Sequence, residues 1–141
     1  SARNYGFEIT VDVLPASWAR LSANYSFQDL TNNHTVLERQ QPAAHKANFK
    51  AFFSLPRDFS AFVGASFVGD KTWEVPTEQG GFDPRISSDH TRIDSRLAWR
   101  GLGEHGELFV AAYNLLDNRY REYPLGEEIR RRVTAGALLE F

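Results

Sequence analysis

The chain has 141 residues, with 16 Lys and Arg against 18 Asp and Glu, a formal net charge of -2, and neither cysteine nor methionine. That length suits one domain or a piece of one, and the charge lacks the basic excess with which a nucleic-acid binder neutralises phosphates. Disulfides and thiolate metal sites are excluded, as is a spanning helix, because no run of about eighteen apolar residues occurs; a spanning strand, whose alternation averages to a hydrophilic score, is not. With no methionine and no signal peptide, the chain is expected to be a processed or excised piece.

Seven segments alternate with a period of two, the mark of strands. Residues 4–14 set Phe7, Ile9, Val11 and Val13 opposite Glu8, Thr10 and Asp12, and Pro15, Ala16 and Ser17 then make a tight turn. Residues 18–30 set Ala19, Leu21, Ala23, Tyr25 and Phe27 against Arg20, Ser22, Asn24, Ser26 and Gln28, the cleanest alternation in the chain. The aperiodic stretch 31–41 reads as a long loop. Residues 44–55 alternate Ala47, Phe49, Ala51, Phe53 and Leu55 with Lys46, Asn48, Lys50, Phe52 and Ser54, and a short turn at 56–58 leads to residues 59–71. There Phe59, Ala61, Val63, Ala65 and Phe67 oppose a partly polar row. Residues 72–88, with Pro76, Gly80, Gly81 and Pro84, read as a second long loop.

The fifth strand, 90–100, puts Ile93, Ser95, Leu97 and Trp99 against Arg92, Asp94, Arg96 and Arg100, and residues 101–106 turn the chain. In the sixth, 107–116, Phe109, Ala111, Tyr113 and Leu115 are assigned to the apolar face, opposite Leu108, Val110, Ala112 and Asn114. Residues 117–128 form a third long connection, and 129–141 the last strand. All six prolines fall in turns, loops or strand edges, where a missing N–H costs no central ladder bond.

Connections therefore run short and long in turn, the asymmetry of an outer-membrane barrel with brief turns at one end and extended loops at the other. Aromatics gather near both ends, with Phe53, Phe59, Trp99, Phe109 and Phe141 at the short-turn end and Phe7, Tyr25, Phe27, Phe67 and Tyr113 at the other. Trp18 falls on the polar face by parity unless a bulge intervenes. Arg20, Lys46, Lys50, Arg92, Arg96, Arg130 and Arg132 require a wet surface. Periodicity does not say which side faces in: a soluble meander, with its apolar row as core, shows the same period.

Asn114-Leu115-Leu116-Asp117-Asn118-Arg119-Tyr120, followed by a loop bearing Pro124, an arginine-rich strand start and a terminal Phe141, resembles the C-terminal end of TonB-dependent outer-membrane receptors. Tyr5-Gly6-Phe7-Glu8 and Ala43-Ala44-His45-Lys46-Ala47-Asn48 are similar to strand entries of that family. The resemblance implies an all-β fold: an antiparallel up-and-down meander of about seven strands, residues 1–141 forming the C-terminal segment of a larger, twenty-two-stranded transmembrane β-barrel. It implies a piece without the plug domain, the N-terminal strands or the TonB box of such a receptor. The whole would import a scarce ligand, such as a ferric siderophore, haem or cobalamin. Its partners would be the remaining barrel strands and plug domain, the TonB complex through that plug, outer-membrane lipid and the assembly machinery, and a metal chelate. Phe141 would belong to the assembly signal; two residues earlier stands Leu139, where many members carry an aromatic.

No catalytic constellation emerges. His34, His45, His90 and His105 have neither close spacing nor a helix to join them, so neither a metal site nor a cofactor is expected. In the long loops Trp73, Phe82, Arg85, Arg119, Tyr120, Arg121 and Tyr123 combine cations with aromatics, which suits an anionic or aromatic chelate; the plainer reading is that the tyrosines pack the loop and the arginines meet water or lipopolysaccharide. Arg92, Arg96, Arg130 and Arg132 are expected to line the lumen, facing a plug or neutralised by Glu8, Asp12, Asp94 and Glu140. Two other functions stay open at this point. One is a small soluble up-and-down barrel binding an apolar ligand, as a lipocalin does. The other is an outer-membrane barrel enzyme, which would need a nucleophile beside a base.

Overall fold

The computed structural model describes residues 2–32, 41–101 and 106–139. Nine strands follow in order: β1 Ala2–Ala16, β2 Ala19–Asn32, β3 His45–Leu55, β4 Phe59–Val68, β5 Lys71–Pro76, β6 Phe82–Ser87, β7 His90–Trp99, β8 Gly106–Tyr113 and β9 Arg132–Leu139. Seven form one antiparallel sheet in the order β1-β2-β3-β4-β7-β8-β9, each strand beside its chain neighbour except that β5 and β6 leave the sheet as a separate two-stranded ribbon. The expected meander is therefore present, while the stretch expected to be a loop at 72–88 contains this ribbon. Its prolines, Pro76 and Pro84, sit in a two-stranded pair whose only outside backbone partner among the described residues is Gln41 at Thr72, so their missing donors break no central ladder.

Register explains the alternation. Across β1 to β4 and β7 odd residues meet odd residues, save where a register shift sets Ala16 opposite Ala19: Val11 faces Ala23, Ala23 faces Phe49, Phe49 faces Ala65 and Ala65 faces Ile93. Bulk alternates with small volume along these rows. Phe49 lies between Ala23 and Ala65, Ala47 between Tyr25 and Phe67, and Phe53 between Ala19 and Ala61. Cross-strand pairs of this kind contribute roughly 0.2–1 kcal/mol each.

The eighth strand departs from the sequence reading. Leu97 pairs with Val110 and Trp99 with Leu108, so Leu108, Val110 and Ala112 continue the apolar face, and Val133, Ala135 and Ala137 extend it into β9. Phe109, Ala111 and Tyr113 instead share the face of the arginines. Both rows of β8 are apolar, so alternation within the strand cannot choose between them; register with β7 does. The polar side accommodates Phe109 because Gly136 lies opposite it and the Arg96 guanidinium sits 4.6 Å above its ring centroid. The last strand also begins later than expected, at Arg132, leaving Ile129, Arg130 and Arg131 in the preceding loop.

The aromatic belts survive with two members removed, since Phe109 and Tyr113 lie on the polar face. At the short-turn end Trp18 stacks on Phe53 and Phe59 on Trp99, each with ring centroids 6.2 Å apart. A register shift between Val13 and Ala16 precedes Trp18 and brings its ring to Phe53. At the long-loop end Tyr5, Phe7, Tyr25, Phe27 and His45 form a continuous cluster, with the Tyr25 hydroxyl 2.8 Å from His45 Nδ1.

The apolar face is open. Ile9 is 56% and Val133 63% exposed, and exposed aliphatic or aromatic side chains recur on every strand of the main sheet. Soluble monomers rarely show contiguous apolar patches above a few hundred Å². The outer strands β1 and β9 are not paired with each other, so among the described residues no closed small barrel forms around an apolar core. The lipocalin-like alternative is thereby replaced by an open wall whose two edge strands carry unpaired backbone groups.

Candidate ligand site at the long-loop end

The loop from β8 to β9 is fastened by the sequence Asn114-Leu115-Leu116-Asp117-Asn118. Asn114 is 1% exposed and takes a left-handed backbone, φ 51°, which Asn tolerates better than most residues. Its N–H donates to Asp94 Oδ1 at 3.0 Å, its Nδ2 donates to the Asn118 carbonyl at 2.9 Å, and its Oδ1 accepts from the Asn118 N–H at 3.2 Å. Leu115 N–H donates to the Ile93 carbonyl at 2.7 Å and Asn118 Nδ2 to the Thr91 carbonyl at 3.1 Å, so the turn is laced to β7. Asp117, also left-handed, accepts from the Arg131 N–H at 2.9 Å and ties the loop's far end back to its start. That bond, and secondarily the nearby Arg119, Arg131 and Arg130, hold its carboxyl below the usual aspartate range.

On this base the loop leans over the start of β7 and the ribbon. Tyr120 bridges to Ile129, which donates its N–H to the Tyr120 carbonyl at 2.8 Å, and the Tyr120 ring lies flat on His90 with centroids 3.7 Å apart and planes at 13°. Trp73 of β5 meets Tyr123 edge to face at 5.3 Å. The ribbon is further joined to the loop before β3 by reciprocal backbone bonds between Gln41 and Thr72, both 3.0 Å.

A cleft of about 330 Å³ results, walled by Arg85 to His90 on one side and by Asn118 to Arg121 and Pro124 on the other. Of the candidates read from sequence, Arg85, Arg119, Tyr120 and Arg121 line it, while Trp73 and Tyr123 are spent on each other at its border and Phe82 stands exposed near the ribbon's tip. Arg85 Nε donates to Asp83 Oδ2 at 3.0 Å, Arg121 Nη1 reaches the Pro124 carbonyl at 3.4 Å, and Arg119 stays 3.9 Å from Asp117 and 4.0 Å from Glu128. Sequence reasoning did not select Ser87, His90 or Asn118 for this place. The available signal was parity: His90 precedes Arg92 by two and so shares the face of the arginines.

Of the expected arginine row, Arg92, Arg96 and Arg132 lie on the polar face. Arg92 Nε is 3.0 Å from Asp94 Oδ2, and Arg132 covers the Tyr113 ring at 4.8 Å. Arg96 and Arg100 converge on the buried carboxylate of Glu107. Arg130 is not in the row: it lies before β9 and donates to Glu128 at 3.0 Å. The neutralising acids are thus Asp94 and Glu107, with Asp12 3.6 Å from Arg20, rather than Glu8. Phe141, Glu140, His34 and His105 lie outside the described residues.

No family model and no curated protein matches the sequence. Solved structures do. The chain is similar to the Pseudomonas aeruginosa receptor FpvA bound to heterologous pyoverdines, at 13% identity and a TM-score of 0.79, over 99% of this chain and 20% of that one. It is similar to FpvAI in complex with pyocin S2, with the same identity and TM-score over 99% of this chain and 19% of that one. The FrpB iron transporter of Neisseria meningitidis matches at 11% identity and a TM-score of 0.73, over 99% of this chain and 23% of that one. At such identities the likeness concerns the fold: this chain has the architecture of a stretch of barrel wall from TonB-dependent outer-membrane receptors, and spans about a fifth of their length.

Proposed function

We propose that the chain forms part of the barrel wall of a TonB-dependent receptor in the bacterial outer membrane, and that the whole protein imports a scarce metal chelate, such as a ferric siderophore, haem or cobalamin. One observation carries this reading: a seven-stranded wall with one face apolar from edge to edge and the other bearing arginines in ion pairs. Hydrocarbon accepts the first face and a hydrated lumen the second. In lipid every backbone group must be paired within the protein, so β1 and β9 need further strands, and the remaining barrel strands supply them. A barrel of this class holds a plug, against which Arg92, Arg96 and Arg132 would lie and through which the TonB complex would act. The short-turn end faces the periplasm and the long loops face outward, where the cleft meets the chelate. Phe141 acts in recognition by the assembly machinery.

The test uses the intact protein: fractionation of the producing cells, followed by uptake of labelled ferric siderophore, haem and cobalamin with and without a working TonB complex. Recovery with the outer membrane and TonB-dependent uptake of one chelate are expected. A protein soluble without detergent, or unchanged uptake of all three after gene deletion, would overturn the reading.

A further inference from the structure

The four buried side-chain polar atoms without a protein partner among the described residues are Trp73 Nε1, Ser87 Oγ, His90 Nδ1 and Arg92 Nε. All belong to the junction between the ribbon, the start of β7 and the last loop. Arg92 Nε lies 3.0 Å from Asp94 Oδ2 in an ion pair, and the Ser88 backbone is near the His90 ring. Ser87 and His90 line the cleft, and they are 8% and 6% exposed. Trp73 Nε1 is a donor only, and Ser87 Oγ carries a proton to donate. A buried group left unpaired costs about 1–3 kcal/mol, and buried polar groups are nearly always paired. Of these atoms Ser87 Oγ and His90 Nδ1 face the cleft, and both stand there without a protein partner. Its walls add Arg85, Arg119 and Arg121, against one lining carboxylate, Asp89.

We propose that this cleft is a subsite for an oxyanionic group, a carboxylate or a phosphate, with Ser87 and His90 at its floor and Arg85, Arg119 and Arg121 at its mouth. Its volume of about 330 Å³ lies at the small end for ligand pockets and has room for a small acid or one anionic arm of the imported ligand. This inference rests on the receptor reading and narrows it to ligands with a free oxyanion. Because His90 shares the polar face with Arg92 and Asp94, the source is the soluble ligand and not a lipid headgroup.

The experiment is calorimetric titration of the intact receptor in neutral detergent with citrate, with inorganic phosphate and with lipopolysaccharide micelles. Saturable binding of citrate or phosphate is expected, weakened about ten-fold or more by Ser87→Ala and by Arg85→Gln, since hydrogen bonds to charged groups contribute about 1.5–3 kcal/mol. Arg20→Gln, on the polar face away from the cleft, should leave it unchanged. Ser87→Ala removes an unpaired hydroxyl, so the unliganded protein should unfold no earlier than the parent, which a purely structural serine would not allow. No saturable anion binding, binding in Ser87→Ala and Arg85→Gln as tight as in the parent, or binding of lipopolysaccharide alone would each overturn the proposal. A receptor that still imports its chelate while binding neither small anion would keep the receptor reading and sink this one.

Discussion

Replacing Asn114 by Ala tests whether the turn after β8 fastens the long loop. The side chain makes two bonds, Nδ2 to the Asn118 carbonyl and Oδ1 from the Asn118 N–H, at 2.9 and 3.2 Å. At about 1 kcal/mol each, their loss costs about 2 kcal/mol. The backbone φ of 51° adds about 1 kcal/mol for a residue whose Cβ meets the following carbonyl without a polar side chain to compensate. The sum, about 3 kcal/mol, predicts about a hundred-fold faster amide exchange for the loop, because each 1.4 kcal/mol is ten-fold. The assay is native-state hydrogen exchange on the intact protein, read by mass spectrometry on peptides covering residues 114–131, with a β3 peptide as the unchanged reference. Asn114→Gly is the companion, since it removes the bonds but not the tolerance for positive φ, and should lose about 1 kcal/mol less. Exchange in Asn114→Gly equal to the parent, or slower in Asn114→Ala than in Asn114→Gly, would refute the reasoning.

Other expectations concern the wall and the loop. If the apolar face meets lipid as proposed, Val110→Arg on that face should lower unfolding stability by about 2–4 kcal/mol, whereas Tyr113→Gln on the opposite face should cost about 1 kcal/mol; equal costs in denaturant titrations would return β8 to its sequence-based orientation. A Cβ at Gly136 would stand 2.8 Å from Phe109 Cζ, so Gly136→Ala should destabilise by about 1–3 kcal/mol and Phe109→Leu should recover most of that in the double variant. Asp117, held below its ordinary pKa, lends the loop stability that is present above the unfolded aspartate value and drains away as pH falls below about 4. Loop protection, corrected for the intrinsic slowing of amide exchange in acid, should therefore fall as pH drops below about 4, and Asp117→Asn should remove that dependence.

Most of the wall was legible because its strands alternate strictly and its register keeps odd with odd from Phe7 to Leu97. The failures share a cause: a property set between strands cannot be read within one. Leu108, Phe109, Val110 and Ala111 are all apolar, so the face of β8 was decided by Leu97 and Trp99 across the ladder. The ribbon was hidden because Trp73, Val75 and Ile86 alternate only briefly around two prolines. Arg130 was assigned to the strand by parity, yet the chain is still closing its loop there through Arg131 and Asp117. At the cleft, cations and aromatics marked Arg85, Arg119, Tyr120 and Arg121, but nothing local marks Ser87, whose hydroxyl is buried without a protein partner. The motif from Asn114 to Tyr120, read as a resemblance, has a physical content: an Asn able to turn left-handed and to bond both ways with Asn118.

The ribbon of β5 and β6 leaves β4 and returns to β7 while those two strands pair along their whole length, from Phe59 with Trp99 to Val68 with His90. Lys71 and Ser87 face each other at its base, so both ends enter through one doorway. An excursion tethered in this way is a cassette: its sequence can be lengthened, trimmed or exchanged without moving a single rung of the wall beneath. Changes in the ribbon and changes in the wall can then accumulate independently, leaving the tip free to diversify while the staves stay fixed.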